Sequence, residues 1–302
     1  MINKVVMIAV VGRANVGKSS LTNLLTGEKV AIVTPKPQTT RNRIFGVFSQ
    51  GETQVILLDT PGFHKARTRL GQHMVGIVKE SIADVDAAAL IVEPVDNIGT
   101  QEELLIGQLS KSGIPTILVI NKIDTIKVEQ ILPVIESYSR YFTFESILPV
   151  SVKTGDGIPQ LLEEFLKYAK ESRQLFPDDM ATDQQEKQII AEIIREKLLL
   201  CLDKEIPHGT AVEITKFSER EVSRKSEEER IIIDVDATIY CEKASHKGMI
   251  IGKNGVMLKK IGQLARADIE SFMGAGVFLQ TWVKVKENWR DNQTMLRNLG
   301  YN

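Results

Sequence analysis

Short continuous apolar runs alternate with helical spacing of apolar residues through the first 170 positions. The runs lie at 5–11, 55–59, 87–92, 116–120 and 147–150. Runs without alternating polar positions are typical of strands that are buried on both faces of a sheet. Helices are predicted from residue 18 onwards and over 101–111, between those strands, and over 158–170, after the last of them. Strands that alternate with helices favour a mostly parallel sheet in an α/β domain.

The pattern changes after a segment with few apolar residues. Residues 171–185 include Pro177, Asp178 and Asp179, which predicts a linker. Beyond it we expect a helix over 186–202, strands over 212–217 and 231–240 around a charged turn at 219–230, and two helices joined by a turn within 248–260. A strand over 277–285 and a closing helix over 289–299 follow. The expected organisation is an α/β domain at 1–170, a linker at 171–185 and a separate α+β domain at 186–302.

Composition agrees with two globular domains. The chain has 302 residues, of which 43% are hydrophobic and 25% charged, so disordered and collagen-like classes are excluded. The formal net charge of -1 gives no indication of nucleic acid by itself. Cys201 and Cys241 form no metal-ligand spacing, and no apolar run approaches the roughly 20 residues of a membrane span. We expect a cytoplasmic location and leave open a peripheral contact with the inner face of the cell membrane.

Residues 12–19 read GRANVGKS and fit the pattern G-x-x-x-x-G-K-[ST] between a predicted strand and a predicted helix. The N–H groups of such a loop wrap a polyphosphate, its lysine bridges the β and γ phosphates, and its serine or threonine holds Mg2+. These roles fall to Lys18 and Ser19, and a glycine-rich turn without a ligand is the alternative. The predicted nucleotide contacts here are Gly12, Arg13, Ala14, Asn15, Val16, Gly17, Lys18, Ser19 and Ser20.

Two later motifs predict that the base is guanine. In NKID, Asp124 can accept hydrogen bonds from the N1–H and the N2 amino group of guanine, which adenine does not present. Asn121 is expected to brace the loops, and the stem of Lys122 to lie along the purine face. The motif SVK would offer backbone N–H groups to guanine O6 from Ser151, Val152 and Lys153. Together these residues predict a GTP site.

Two other segments are expected to sense the γ-phosphate. The motif LLDTPG places Asp59 where it can bind Mg2+ and Gly62 where a backbone N–H can approach the phosphate. In the loop at 34–46, Thr40 is expected to close over Mg2+ when a γ-phosphate is present. Thr39 is the competing candidate, and an ordinary surface connection is the alternative for the whole loop. The predicted catalytic residues are Lys18, Thr40 and Gly62, and the predicted Mg2+ ligands are Ser19, Thr40 and Asp59.

The residue after Gly62 is Phe63, where Ras-like enzymes carry a glutamine that orients the attacking water. A phenylalanine cannot do this, so we expect slow intrinsic hydrolysis that depends on charge stabilisation, on water held by the backbone or on a partner. His64 is a candidate base, with an exposed loop histidine as the alternative. Arg41 and Arg43 are candidates for an internal arginine finger, although solvated charges are the favoured interpretation.

The second domain contains HKGMIIGKNGVMLKKIG, in which a G-x-x-G turn joins two predicted helices. Such a turn lets a nucleic-acid backbone approach closely, across about four nucleotides. Lysines surround it, and no Asp or Glu occurs from 243 to 267. A plain turn is the alternative, but the α-β-β-α-α-β order favours a KH domain, with Phe217, Phe272 and Phe278 in its core. The predicted RNA contacts are Lys247, Ile251, Gly252, Lys253, Asn254, Gly255, Lys259 and Lys260.

The segments GRANVGKSSLTNLLTGEKVAIVTPKPQTTRNRI and DTPGFHK resemble the Era family of bacterial GTPases, as do EKLLLCLDKEIPHGTAVEI and WVKVKENWRDNQTMLRNLGY. The resemblance covers nearly the whole chain. It implies a P-loop GTPase domain with a mostly parallel sheet, then an α+β KH domain of type II, with GTP or GDP and Mg2+ as ligands. It also implies binding near the 3′ end of small-subunit ribosomal RNA during assembly of the 30S subunit. We predict no obligate oligomer.

Two positions add detail to what that resemblance implies. Asn15 matches an asparagine that helps to hold K+ beside the phosphates in related potassium-activated GTPases, which implies K+ as an additional ion here. Asn254 departs from the more usual Gly-Lys-Gly-Gly, which leaves the preferred RNA sequence open. The alternatives from other classes are a P-loop kinase using ATP or GTP, a tRNA-modifying or other translation-associated GTPase, and an interaction scaffold with a degenerate site.

Overall fold

The structure is a computed structural model that describes residues 2–63, 66, 68–203, 206–223 and 229–301. Contacts divide the chain into two compact units. The first comprises Met1–Arg67 and Gly71–Asp183, and the second comprises Thr68–Leu70 and Gln184–Asn302. His64 and positions 224–228 of the predicted charged turn lie outside the described residues. Within the described ranges, no helix has both the length and the apolar composition that crossing a membrane requires.

The first unit is built on one mainly parallel sheet with the strand order β2-β3-β1-β4-β5-β6. Strand β2 is antiparallel to β3, and the short β7 is antiparallel to the start of β1. The strands are β1 Lys4–Gly12, β2 Ile44–Gln50, β3 Thr53–Asp59, β4 Ala87–Val92, β5 Thr116–Ile120, β6 Ser146–Pro149 and β7 Lys170–Glu171. The helices are α1 Lys18–Thr26, α2 Arg69–Ala83, α3 Thr100–Ser112, α4 Ile131–Ser139 and α5 Ile158–Leu166.

The central strands are covered on both faces, as their continuous apolar runs predict. Every residue of β3, β4 and β5 is buried. In β1, Ile8 and Val10 pack with residues of α1 and α5, whereas Ala9 and Val11 pack with residues of α2, α3 and α4. Successive side chains of a strand point to opposite faces, so a strand between two helical layers needs apolar residues at every position.

Several boundaries differ from the sequence prediction. The loop expected at 34–46 ends at Arg43, because Ile44 begins β2, and α5 ends at Leu166 rather than at residue 170. Strand β2 and the helices α2 and α4 were not predicted. The segment after β7 is attached to the first unit, since Phe176 packs against Phe45 with ring centroids 5.9 Å apart. One aromatic residue in a polar segment has no periodicity, so the pattern did not reveal this packing.

The second unit follows the predicted α-β-β-α-α-β order. Its elements are α6 Glu186–Cys201, β8 Ala211–Ser223, β9 Glu229–Cys241, α7 Ala244–Ile251, α8 Val256–Met273 and β10 Gly276–Val285, followed by α9 Gln293–Asn298. The sheet has the order β10-β9-β8, with β9 antiparallel to β8 and parallel to β10. Both ends of the segment predicted as a turn, 219–230, belong to strands, because β8 extends to Ser223 and β9 begins at Glu229.

The core of the second unit lies between the sheet and its helices, where Ile194, Ile239 and Ile269 pack together. Phe217 packs partly against this core, but Phe272 and Phe278 are 39% and 49% exposed, so the prediction that these two are core residues is wrong. Phe278 alternates with the core residue Val277 along β10 and therefore lies on the opposite face of the strand.

Candidate functional site

The phosphate loop joins the carboxyl end of β1 to the start of α1. Gly17 has a φ of 104°, and a Cβ atom there would lie 2.2 Å from Asn121 Nδ2. Only glycine fits that space and that backbone conformation. Asn15 also adopts a left-handed φ, 67°, which asparagine tolerates better than most residues. The loop is therefore shaped by its own sequence and by Asn121.

Lys18 is the first residue of α1 and is 6% exposed. Its ammonium donates to the carbonyl oxygens of Gly12 at 3.2 Å and of Arg13 at 2.8 Å. Burial lowers the pKa of Lys18 to about 8, and the nearby carboxylate of Asp59 opposes that shift. A buried ammonium held by uncharged carbonyls is well suited to an anionic ligand. Burial has removed most of its hydration, and the oxygens of a polyphosphate can replace that hydration with charge-assisted hydrogen bonds.

Three oxygen-bearing side chains meet beside Lys18. The Ser19 hydroxyl donates to Asp59 Oδ2 at 2.6 Å and lies 2.8 Å from the Thr40 hydroxyl. Asp59 is fully buried, and burial raises its pKa to about 6 although the Lys18 charge opposes this. Asp59 Oδ1 is also buried and accepts no hydrogen bond from the part of the chain that is described. Hard oxygen donors around an unsatisfied carboxylate oxygen fit a Mg2+ ion.

The structure distinguishes between the two threonine candidates of the 34–43 loop. Thr39 donates its hydroxyl to Lys36 O at 2.7 Å and lies 2.7 Å from the hydroxyl of Thr34, within its own loop. Thr40 instead faces Ser19, as described above. The geometry therefore favours Thr40 as the residue of this loop that senses the metal.

The two arginines of the same loop have different environments. Arg41 is 1% exposed, so the interpretation of its charge as solvated is wrong. Arg43 is exposed and lies over the ring of Phe45, 4.9 Å from its centroid. A buried guanidinium requires partners within the protein. The burial of Arg41 therefore favours a structural role over that of an arginine finger.

Gly62 and Phe63 hold the segment after β3 against the phosphate loop. A Cβ atom on Gly62 would lie 2.7 Å from the Cα of Ala14, so only glycine permits this approach. The next N–H, of Phe63, donates to Gly12 O at 3.1 Å. The Phe63 ring is buried in the core with Val11 and Val78. A phenylalanine at this position thus anchors the segment, which explains an apolar residue where a water-orienting glutamine could stand.

These elements enclose a cavity of about 520 Å³. Its lining brings together most of the predicted phosphate and Mg2+ residues with the 32–40 segment. The lining residues are Ala14, Asn15, Gly17, Lys18, Ser19, Ser20, Ile32, Val33, Thr34, Pro35, Gln38, Thr39, Thr40, Gly62 and Lys122. The side chain of Val16 instead belongs to the core below the loop.

Asn121 connects the phosphate loop to both base-recognition loops. It is buried, its Nδ2 donates to Val16 O at 2.8 Å, and its Oδ1 accepts from Val152 N at 3.1 Å. Its own N–H donates to Val92 O at 2.9 Å. The expected bracing role therefore matches its contacts.

Asp124 and the SVK motif meet at the far end of the site. The Ser151 hydroxyl donates to Asp124 Oδ1 at 2.8 Å, and Lys153 Nζ lies 3.7 Å from Asp124 Oδ2. The N–H of Ser151 donates to Asp156 O, and that of Val152 is used by Asn121. The N–H of Lys153 donates to no described residue, so of the three predicted donors this one is left for guanine O6.

The sequence analysis did not identify Glu93, which follows β4 directly. Its carboxylate accepts from Lys122 Nζ and from Arg13 Nη2. Arg13, predicted as a nucleotide contact, is therefore held by an acid of the protein. An acidic residue directly after a buried parallel strand was the available signal, because the carboxyl ends of such strands form the ligand edge of an α/β sheet.

The G-x-x-G turn of the second unit lies between α7 and α8. Gly252 has a φ of 73°, and a Cβ atom there would lie 2.7 Å from the Cβ of Met257. Lys253 and Asn254 are exposed at its tip, and Lys247, Lys259 and Lys260 are exposed around it. Ile251 is half-buried and packs partly against the core. The predicted RNA residues therefore form one basic surface, with Ile251 as a partly structural member.

A groove of about 440 Å³ runs from this turn along α8 towards β10. Apolar and basic side chains share its lining. The lining residues are Gly255, Leu258, Lys259, Gly262, Gln263, Arg266, Leu279 and Thr281. Apolar walls with cations at the rim can accept unstacked bases while neutralising their phosphates.

Two family models match the chain. One, described as a 50S ribosome-binding GTPase, matches residues 7–122, and one described as a KH domain matches residues 205–290. GTPase Era of Ruminiclostridium cellulolyticum is 50% identical over 294 residues, which are 97% of this chain and 96% of the relative. GTPase Era of Caldanaerobacter subterraneus subsp. tengcongensis is 46% identical over 294 residues, again 97% and 96% of the two chains.

Two solved structures are similar over the full length. One is Era in complex with MgGDPNP and nucleotides 1506–1542 of 16S ribosomal RNA, with a TM-score of 0.93, 34% identity and coverage of 100% of this chain and 99% of the other. The second is a variant of Aquifex aeolicus Era bound to GDP.AlF4-, with a TM-score of 0.92, 35% identity and 99% coverage of both chains.

Proposed function

The chain belongs to the Era family of GTPases, and from that premise we propose that it is a GTP-timed RNA-binding factor in assembly of the small ribosomal subunit. Family membership removes the P-loop kinase and the tRNA-modifying GTPase as alternatives. The observation that carries the proposal is the presence, in one chain, of a phosphate cavity, of Asp124 beside the SVK motif and of a basic G-x-x-G surface. The two free cysteines suit a reducing cytoplasm as the location.

In the proposed nucleotide site, the amides of the 12–17 loop and the Lys18 ammonium bind the β and γ phosphates. Ser19, Thr40 and Asp59 hold Mg2+, which would neutralise developing charge on the phosphates when bound. Asp124 accepts hydrogen bonds from guanine, and Lys153 N–H donates to its O6. Because Phe63 is buried in the core, it leaves the positioning of water to backbone groups, and slow intrinsic hydrolysis follows.

In the proposed cycle, GTP draws Thr40 and the N–H of Gly62 onto the γ-phosphate. Both lie on segments that contact the phosphate loop, so loss of the γ-phosphate releases them together. The reordered segments would then alter RNA binding by the second unit. Identical RNA affinities at fixed salt with GDP, with a nonhydrolysable GTP analogue and without nucleotide would contradict this coupling.

The proposed target is small-subunit ribosomal RNA near its 3′ end, together with the 30S subunit. It rests on the similar full-length structure that holds a 16S ribosomal RNA segment. We expect RNA crosslinked to this chain in cells, and then sequenced, to be enriched in the 3′ region of 16S ribosomal RNA, more strongly when the protein is trapped with GTP. Enrichment of large-subunit ribosomal RNA, as the description of the matching GTPase family would allow, would contradict the proposal.

We also expect K+ to stimulate hydrolysis, by about tenfold relative to Na+. Asn15 lines the phosphate cavity, and its Nδ2 donates to Pro35 O at 2.7 Å, so the side-chain oxygen is the end that can face a cation. Asn15→Ala should remove the stimulation. Asn97→Ala, at an exposed asparagine, is the matched control. Equal rates of GTP hydrolysis by the wild-type protein in sodium and potassium buffers would contradict the expectation.

A further inference from the structure

Glu93 lies between two loops of the nucleotide site and binds a cation from each. Its Oε2 accepts from Arg13 Nη2 of the phosphate loop at 2.9 Å. Its Oε1 accepts from Lys122 Nζ of the base-recognition loop. The side chains of Glu93, Arg13 and Lys122 are between 29% and 37% exposed, so each is partly shielded from water. One carboxylate therefore connects the two loops that must bind opposite ends of a nucleotide.

The contact with Lys122 fixes the course of that side chain. Lys122 has a left-handed φ of 66°, and its ammonium also donates to the carbonyl oxygen of Asn15 at 2.7 Å. The ammonium is thus held between Glu93 and the phosphate loop. Because the backbone and the ammonium of Lys122 are both fixed, the methylene groups between them have little conformational freedom. A lysine loses substantial rotamer entropy when it is ordered in this way.

The contact with Arg13 anchors the carboxylate of Glu93. Arg13 Nε lies 3.5 Å from Glu102 Oε1, and Glu102 is buried. Glu102 Oε2 in turn accepts from the N–H of Gly99 at 2.8 Å, at the start of α3. Glu93 is therefore anchored in two ways. It directly follows β4 in the chain, and Arg13 connects its carboxylate to the start of α3.

We propose that Glu93 is a positioning residue for guanine-nucleotide binding, which orders the Lys122 side chain before the purine arrives. The proposal rests on the proposed role of Lys122 as one wall of the purine site. Ordering this wall in advance removes part of the entropy that binding would otherwise have to supply. Because GDP and GTP share the purine, the benefit is the same for both nucleotides, and it does not extend to the chemical step.

Glu93→Gln tests the proposal, since glutamine keeps the size of the side chain and removes its charge. We expect the affinities for GDP and for GTP, measured by calorimetry, to fall by the same factor of about ten, which is about 1.4 kcal/mol. KM for GTP should rise accordingly, while kcat stays within about twofold of wild type. Glu103→Gln, at an exposed glutamate of α3, is the matched control and should bind like wild type.

A double-mutant cycle decides whether Glu93 acts through Lys122. In a Lys122→Met background, Glu93→Gln should weaken GDP binding by no more than about twofold, because the side chain that it orders is already altered. An undiminished loss in that background would overturn the proposal, as would a loss confined to kcat. Glu93→Asp keeps the charge on a shorter side chain and should give a smaller loss than Glu93→Gln.

The outcomes separate this inference from the proposed function. If the wild-type protein binds guanine nucleotides and Glu93→Gln binds them equally well, only the positioning role is overturned. If the wild-type protein itself shows no preference for guanine over adenine nucleotides, the proposed nucleotide site is wrong. Thermal unfolding of each variant without nucleotide verifies that it is folded, and a shared fall in unfolding temperature and affinity that is not coupled to Lys122 would also overturn the proposal.

Discussion

Replacing Lys18 with methionine is expected to reduce GTP hydrolysis about a thousandfold. The side chain is almost completely buried, and its ammonium is directed at two carbonyl oxygens of the phosphate loop. This ammonium is the group that we expect to bind the β and γ phosphates of a bound triphosphate. Methionine keeps a similar length and removes the charge, so the loss reports electrostatics rather than a cavity.

Lys111→Met is the matched control for this substitution. Lys111 is exposed in the last turn of α3 and lines no part of the phosphate cavity. Single-turnover hydrolysis and nucleotide affinity of both variants should be measured beside their thermal unfolding curves. Hydrolysis by folded Lys18→Met at the rate of the control would show that the predicted phosphate loop is not the reaction site.

The second large effect is expected in RNA binding. A variant that carries both Lys253→Asp and Asn254→Asp should lose RNA affinity by about a hundredfold. Both side chains are exposed at the tip of the G-x-x-G turn, where phosphates are expected to pass. Asn254 has a φ of 52°, which aspartate also tolerates, so the change should repel phosphate without breaking the turn.

The second unit provides a closely matched control. Lys286 and Asn288 are exposed, and Asn288 has a φ of 51°, so Lys286→Asp with Asn288→Asp makes the same change in charge at a similar backbone conformation. We expect this control to bind RNA within about threefold of wild type at the same salt concentration. Equal losses in the two variants would mean that net charge, rather than the G-x-x-G turn, controls RNA binding.

Local sequence was sufficient for the main elements and for the motif loops. The central strands of the first unit were predicted because β3, β4 and β5 each contain a continuous apolar run, which is typical of a sheet that is covered on both faces. The phosphate loop was predicted because its glycines and lysine lie at the spacing G-x-x-x-x-G-K within one short segment. In the second unit, the order of elements and the G-x-x-G turn were also correctly placed.

Contacts between segments that are distant in the chain could not be read from such patterns. The difference between Thr39 and Thr40 depends on which hydroxyl reaches Ser19, and Ser19 lies 21 residues before Thr40 in the chain. The burial of Arg41 and of Phe63 depends on how their segments pack against the rest of the first unit. Phe278 was misassigned because hydrophobicity alone does not state which face of a strand is covered.

The sequence by itself thus determined the central strands, the motif turns and the chemistry available to them, since those follow from neighbouring residues and their periodicity. Only the tertiary structure decided which side chains meet at the carboxyl edge of the sheet. Glu93 shows the reason: its partners Arg13 and Lys122 are 80 and 29 positions away, and folding alone brings their opposite charges within reach.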